Sequence, residues 1–197
     1  IPLFQATEAG AGVTIDTSFA ASGEQSRAVE SGLPADVVAL SLATDVQRLV
    51  PLGLVAEDWA DDEFNGFVTT SVVVLAVRPG NPKNIQTWDD LLRDDVQVIS
   101  PNPLTSGGAK WNILAAYGAR LDAGESHDEA VEYLRQLFTH IPVQDKSARE
   151  ALNTFSGGLG DVLLAYENEV ITIQGTGEEI DYVLPSKSLR ILDAEVF

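Results

Sequence analysis

The sequence predicts an α/β fold: a mostly parallel sheet flanked by helices, divided into two lobes joined by two crossing segments. Three observations predict it. β-rich runs alternate with capped, amphipathic segments along all 197 residues, the pattern of strand–helix–strand units. The strongest β-branched run, "FVTTSVVVLAVRPG" (Phe67–Gly80), leads into "RPGNP", a breaker cluster suited to a crossing between lobes. "YVLPS" (Tyr182–Ser186) suits the return crossing. The expected lobes are therefore 1–78 plus 182–197, and 79–181.

The elements follow in order. "GVTIDTSF" (Gly12–Phe19) alternates and predicts a strand. "SGEQSRAVESG" (Ser22–Gly32) predicts a short helix opened by Ser22 and closed by Gly32. "ADVVALSL" (Ala35–Leu42) predicts a buried strand, and "TDVQRLVPLG" (Thr44–Gly53) a helix capped by Thr44 and ended by Pro51. After the strand at Phe67–Gly80, "PKNIQTWDDLLRDD" (Pro82–Asp95) predicts a short helix with Thr87 at its cap, and "VQVIS" (Val96–Ser100) another strand. From Ala109 onward, Trp111, Leu114, Ala115, Gly118 and Leu121 recur at the helical period. Ser126–His140 predicts a second amphipathic helix, capped by Ser126 with acids in its first turn. "KSAREALNTFSGG" (Lys146–Gly158) predicts a third, ended by Gly157. "GDVLLAYENEVITIQ" (Gly160–Gln174) reads as a strand and a helix, and "EIDYVLPS" (Glu179–Ser186) as a strand.

Composition narrows the function. The net charge of −18 repels a phosphate backbone, which argues against nucleic acid as a partner. It also denies any small anion long-range attraction, so local donors would have to hold one. With no Cys, neither a disulfide scaffold nor a thiolate metal site is available. The two histidines, His127 and His140, fall on a segment read as a solvent-facing helix. They offer little material for a metal site or a catalytic triad, and no metal or cofactor is expected. No apolar run reaches membrane-spanning length. The opening "IPLFQATEAG" reads as the end of a helix inside a longer protein, and "SLRILDAEVF" carries no natural stop.

The recurring motif is a small-residue turn feeding a helix: "FAASGEQ" (Phe19–Gln25), "LTSGGAKW" (Leu104–Trp111) and "DKSARE" (Asp145–Glu150). The first N–H groups of a helix lack internal partners, and the macrodipole makes that end partly positive. Two or three such ends meeting at one point would bind an anion without Lys or Arg. Taken singly, each turn reads first as an ordinary cap and only second as an anion site, and spacing does not show convergence. "SGGAK" lacks the spacing of a phosphate-binding P-loop. The carboxylates of "YENE" (Tyr166–Glu169) are expected to face solvent, and Trp59, Trp88 and Trp111 to serve the core.

Together, "GLPADVVALSLATDV", "AVRPGNPKNIQTWDDLL", "PNPLTSGGAKWN" and "GDVLLAYENE" resemble the sulfate-binding proteins of ATP-driven sulfate and thiosulfate importers. The resemblance runs over nearly the whole chain. It implies the two-lobed type II periplasmic-binding-protein architecture, in which the lobes close around the ligand. It also implies an extracytoplasmic, monomeric binding protein, periplasmic or at the cell surface, with no catalytic residues. Its partners would be sulfate or thiosulfate and the membrane permease of an ABC importer. Carried over by motif, the sulfate contacts fall on Ser22, on Ser106, Gly107 and Gly108, and on the backbone N–H of Ala148. Tyr166 stands where the family commonly has Trp; an indole only donates, whereas a phenol also accepts. The alternatives are another tetrahedral oxyanion, molybdate or phosphate, or a Ser-dependent α/β hydrolase using Ser22 or Ser106. The hydrolase needs a base, and neither His lies in a suitable turn.

Overall fold

The computed structural model describes residues 1–196, with side chains described through residue 189. The elements run α1 (Pro2–Gln5), α2 (Ser22–Glu30), β1 (Val38–Leu40), α3 (Ala43–Gln47), β2 (Phe67–Val77), β3 (Val98–Ile99), α4 (Gly107–Asp122), α5 (His127–Thr139), α6 (Ala148–Ser156), β4 (Val162–Tyr166), α7 (Glu167–Gln174), β5 (Asp181–Val183) and β6 (Arg190–Val196). Short 3-10 turns occupy Val50–Leu52 and Asp89–Leu92.

The central strand is β2. Its first half pairs with β6, which in turn pairs with β1. Its second half, Val73–Val77, pairs with β4, and Leu75–Val77 pair with β5 on the opposite edge. β4 continues to β3, giving the order β1-β6-β2-β4-β3 with β5 beside β2. The α/β class holds, but the expected mostly parallel sheet does not. Among the described pairings only β3–β4 is parallel; β2 runs antiparallel to β4, β5 and β6. A helix between two strands forces parallel pairing only when those two strands are neighbours. Here α4, α5 and α6 form that crossover from β3 to β4, whereas the other neighbours are distant in sequence.

Residues Val73–Val77 are all buried, which explains the unbroken apolar run: this half of β2 is covered on both faces. Alternate residues feed two cores. Val73, Leu75 and Val77 join Leu164 and Tyr166 of β4 against Ala115, Ala116 and Ala119 of α4 and Tyr133 and Leu137 of α5. Val74 and Ala76 join Leu163 against Leu152 and Phe155 of α6 and Val170 of α7. A smaller cluster gathers Leu40 and Val46 under Trp59 and Phe67.

Several sequence expectations change. Gly12–Phe19 forms no strand; Val13, Ile15 and Phe19 are exposed, and β propensity is expressed only against a partner edge. Ser22 does not cap α2 but is its first helical residue, with Ala21 at the cap position. Gly32 does close α2: at φ +102 it lets Leu33 N–H reach Ala28 O and its own N–H reach Val29 O, a Schellman closure. Thr44–Gly53 splits into α3 and a 3-10 turn, because Pro51 has no N–H to continue an α ladder; Thr44 lies inside α3, and Leu42 takes the cap position. Thr87 caps nothing; the Asp90 carboxylate accepts from the Gln86 and Thr87 N–H groups instead. The strands at Ala35–Leu42 and Glu179–Ser186 shrink to β1 and β5.

The expected Ser126 cap is present, and the helices on either side of α5 are capped in the same way. Ser106, Ser126 and Ser147 accept from Ala109, Glu129 and Glu150 N–H. At α5 the Glu129 carboxylate reaches back to Ser126, completing a capping box. Arg78 performs the reverse service just beyond α6. Its guanidinium donates to Phe155 O, Leu159 O and Gly160 O at 2.6–3.0 Å and stacks 3.8 Å over the Phe155 ring. It thereby satisfies carbonyls that the helix end leaves open and ties the end of β2 to α6.

Two outcomes are expected. Arg78→Ala should lower unfolding free energy by about 2–3 kcal/mol in urea titrations, since charged hydrogen bonds and carbonyl partners are both lost. Arg78→Lys should recover only part, because an ammonium cannot make the fork. The Ser126 N–H and hydroxyl hold the Glu129 carboxyl below the ordinary glutamate range. Its stabilising contribution is thus present above the unfolded-state value and fades as pH falls through the lower folded value. NMR titration of Glu129 should show the depressed midpoint, and Ser126→Ala should raise it.

Candidate functional site

The site is built on helix starts. At α4, Ser106 occupies the cap in extended geometry, and its hydroxyl accepts from Ala109 N–H at 3.2 Å. Gly107 and Gly108 follow as the first helical residues, so their N–H groups lie among those no helical carbonyl can reach. Both glycines are buried, and Ser106 is 3% exposed.

The loop before α4 is held by local bonds. Asn102 O accepts from Thr105 and Ser106 N–H, and Asn102 Oδ1 from Leu104 N–H. The same loop is laced to the one before α6: Asn102 N–H donates to Asp145 O at 2.7 Å, and Thr105 Oγ1 to Lys146 O at 2.7 Å. Ser147 then caps α6, and Ala148 is its first residue.

The structure brings all six expected residues together. A Cβ built on Gly107 would lie 3.2 Å from Ser22 Oγ. One built on Gly108 would lie 3.5 Å from each of Ala148 Cβ, Ser106 Oγ and Tyr166 Oη. A Cβ on Gly23, in the first turn of α2, would approach Thr105 O to 3.0 Å. The starts of α2, α4 and α6 therefore meet, with the end of β4 supplying Tyr166, which is 8% exposed. A side chain at 107 would crowd Ser22 and Ser41 at 3.0–3.2 Å, so these neighbours would have to give by a few tenths of an ångström.

Two further residues belong to this cluster and were not read from the sequence. Ser41, between β1 and α3, donates its N–H to Ser22 Oγ at 3.2 Å and lies 3.2 Å from it hydroxyl to hydroxyl. Its Cβ would be 3.0 Å from a Gly107 Cβ, and its carbonyl accepts from Trp111 Nε1 at 2.7 Å. The signal was present in "LSLATD", another strand-to-helix turn, but without glycine or a cap. Asn112, one turn into α4 and 2% exposed, donates to Leu164 O at 3.0 Å and to Ser100 Oγ at 3.4 Å. It braces α4 against β4 and β3.

Charge is kept to the edges. Asp45 of α3 is buried; its Oδ1 lies 3.5 Å from Lys110 Nζ of α4, and its carbonyl accepts from Ser26 Oγ. The "YENE" carboxylates do not both face solvent. Glu167 accepts from the Tyr182 hydroxyl at 3.1 Å. Glu169 lies 3.9 Å from Arg149 and lines a small cavity with Gly108, Asn112, Ala148 and Tyr166. As expected, Trp88 is in the core, and Trp111 packs on its border. The histidines bond elsewhere: His127 with the Tyr117 hydroxyl and His140 with Val96 O. Neither is the bonded partner of Ser22 or Ser106, whose hydroxyls meet Ser41 and Ala109 N–H. The arrangement can present N–H and O–H donors to an anion.

Comparison with known proteins gives the same direction. The family model described as bacterial extracellular solute-binding protein matches residues 1–196. A sulfate-binding protein of Synechococcus elongatus is 40% identical over 195 residues, 97% of this chain and 56% of the relative. A thiosulfate-binding protein of Pseudomonas aeruginosa is 43% identical over 174 residues, 85% of this chain and 52% of the relative. The solved sulfate-binding protein SubI from Mycobacterium tuberculosis superposes with a TM-score of 0.94 at 44% identity. That match covers 99% of this chain and 68% of SubI. The chain spans about half the length of the curated relatives it matches. On fold, sequence and family match together, it belongs to the bacterial extracellular solute-binding proteins.

Proposed function

We propose that this chain carries the anion seat of an extracytoplasmic sulfate-binding protein, with thiosulfate as the second ligand. It captures the anion without chemistry and hands it to the membrane permease of an ABC importer. The protein works as a monomer in the periplasm or at the cell surface. Ser22 and Ser106 supply hydroxyls, Gly107, Gly108 and Ala148 supply backbone N–H groups, and Tyr166 supplies its phenol. The lobes are 1–78 plus 182–197, and 79–181. β2 supports two lobes but with the crossing within the strand, since its first half pairs with β6 and its second half, Val73–Val77, with β4 and β5.

One observation carries the reading: three helix starts, rich in small residues, meet within contact distance of Gly107 and Gly108. The chemistry fits a fully ionised oxyanion. Sulfate has acceptors only, and a seat of N–H and O–H groups answers each of them. A protonated anion would set its own O–H against a donor, at a cost of about 1–3 kcal/mol. Relatives named for sulfate and thiosulfate support this choice. A molybdate-binding relative matches at 28% over 129 residues, and a larger tetrahedral anion is the variant to be tested beside them.

Calorimetric titration should show sulfate binding more tightly than molybdate or phosphate. Ser106→Ala should weaken sulfate by about 10–100-fold, the loss of one buried donor. No heat and no thermal stabilisation with millimolar sulfate would overturn the reading, since ligand at 100 times Kd adds about 2.7 kcal/mol. Gly107→Ala should weaken sulfate about tenfold or more. Its methyl would sit 3.0 Å from Ser41 Cβ and 3.2 Å from Ser22 Oγ, an overpacked contact that displaces the donors.

A further inference from the structure

We infer that Trp111 is a positioning residue of the anion seat: its indole N–H holds the backbone of Ser41, and Ser41 in turn sets the Ser22 hydroxyl beside Gly107. The inference rests on the anion-binding reading above and extends it to a side chain outside the donor set.

The chain has three tryptophans, and each indole N–H donates one bond. Trp59 Nε1 reaches Gln47 Oε1 at 3.3 Å, Trp88 Nε1 reaches Lys187 O at 2.7 Å, and Trp111 Nε1 reaches Ser41 O at 2.7 Å. Of these bonds, that of Trp111 ends at the seat. An indole only donates, and its hydrogen is fixed in the ring plane, so this bond has one direction. The Ser41 N–H is a fixed donor too, and it reaches Ser22 Oγ at 3.2 Å. The two bonds therefore grip the peptide groups on either side of the Ser41 Cα. Ser41 lies outside both β1 and α3, so neither element fixes its orientation.

The placement of Trp111 on α4 suits this role. It follows Gly107 by four residues and Gly108 by three, one turn along the same helix face. Long helical side chains lean toward the N-terminus, which carries the indole back over the turn that opens α4. The missing side chain at Gly107 leaves room there for Ser41, whose Cβ lies 3.0 Å from the position of a Gly107 Cβ. Glycine at 107 admits Ser41, and tryptophan at 111 holds it. The indole also packs on the border of the core that contains Tyr166, so the donor is anchored to the other side of the seat. Ser41 and Trp111 are 70 residues apart and fall in different proposed lobes. Packing alone would be served by phenylalanine, whereas positioning needs the N–H.

The test is calorimetric titration with sodium sulfate of wild type, Trp111→Phe, Ser22→Ala, Ser106→Ala and the two double variants that combine Trp111→Phe with each serine change. Thermal melting without sulfate reports their folding. Trp111→Phe should weaken sulfate about 5–30-fold. In the Ser22→Ala background the same substitution should weaken it by less than about twofold, because the hydroxyl it positions is gone. In the Ser106→Ala background the full penalty should remain, since independent sites add. Sulfate binding by Trp111→Phe within about twofold of wild type would overturn the inference, as would equal penalties in both backgrounds. A wild-type measurement stands apart from the folding of any variant. Sulfate should move the Trp111 indole N–H resonance in nitrogen-15 NMR spectra more than those of Trp59 and Trp88. A Trp111 resonance unmoved at saturating sulfate would overturn the role of Trp111. Absence of sulfate binding by wild type would instead overturn the anion seat beneath it.

Discussion

The pairing of β2 with β4 organises the rest of the molecule. Five consecutive residues, Val73–Val77, pair in register with Tyr166–Val162 and bury alternate side chains on both faces. The α4 and α5 helices are held to one face and α6 and α7 to the other. Tyr166 ends the paired segment of β4, so its position is set by ladder register rather than by local loop geometry. A one-residue slip would send every side chain of β4 to the opposite face and carry Tyr166 away from Gly108. Arg78, one residue past β2, extends the constraint by fixing the far end of α6. The near end of that helix is where Ala148 meets the seat.

The seat is made from what helices leave undone. Buried backbone N–H groups need partners, and the starts of α2, α4 and α6 meet at one place. Serine caps satisfy some of them: Ser106 serves Ala109 and Ser147 serves Glu150. Small residues at 107, 108 and 148 leave the rest uncovered by side chain. Few charged groups border the cluster although the chain carries thirty acids. Formal charges stand around it in pairs, Asp45 with Lys110 and Glu169 with Arg149.

The legible and illegible parts of the sequence divide along physical lines. Local signals were readable. "TSGGAK" announced a helix start, "SHDE" a capped one with acids in its first turn, and the β-branched run of β2 a strand. Non-local facts were not. Strand direction depends on which strands become neighbours, and alternation of helices and strands does not encode that. Gly12–Phe19 has a strand's composition but no edge to pair with. Ser22 looked like a cap because serine before a helix usually is one; its hydroxyl instead meets Ser41, nineteen residues away in sequence. Convergence of the three turns came from family resemblance and not from spacing, and the contacts of Gly107 and Gly108 supply its geometry. Ser41 escaped notice because "LSLATD" marks its strand-to-helix turn with neither a glycine nor a cap.

The lacing between the loops before α4 and α6 has a consequence for how a ligand would be held. Asn102 to Asp145 and Thr105 to Lys146 are backbone-anchored bonds at 2.7 Å, and both loops flank the same β3–β4 pair. Two of the three donor ends therefore form a single preassembled jaw whose ordering entropy is charged to folding. The α2 side is joined to the same unit through Trp111 Nε1, which donates to Ser41 O at 2.7 Å. Preorganisation of this kind lowers the entropic cost of association.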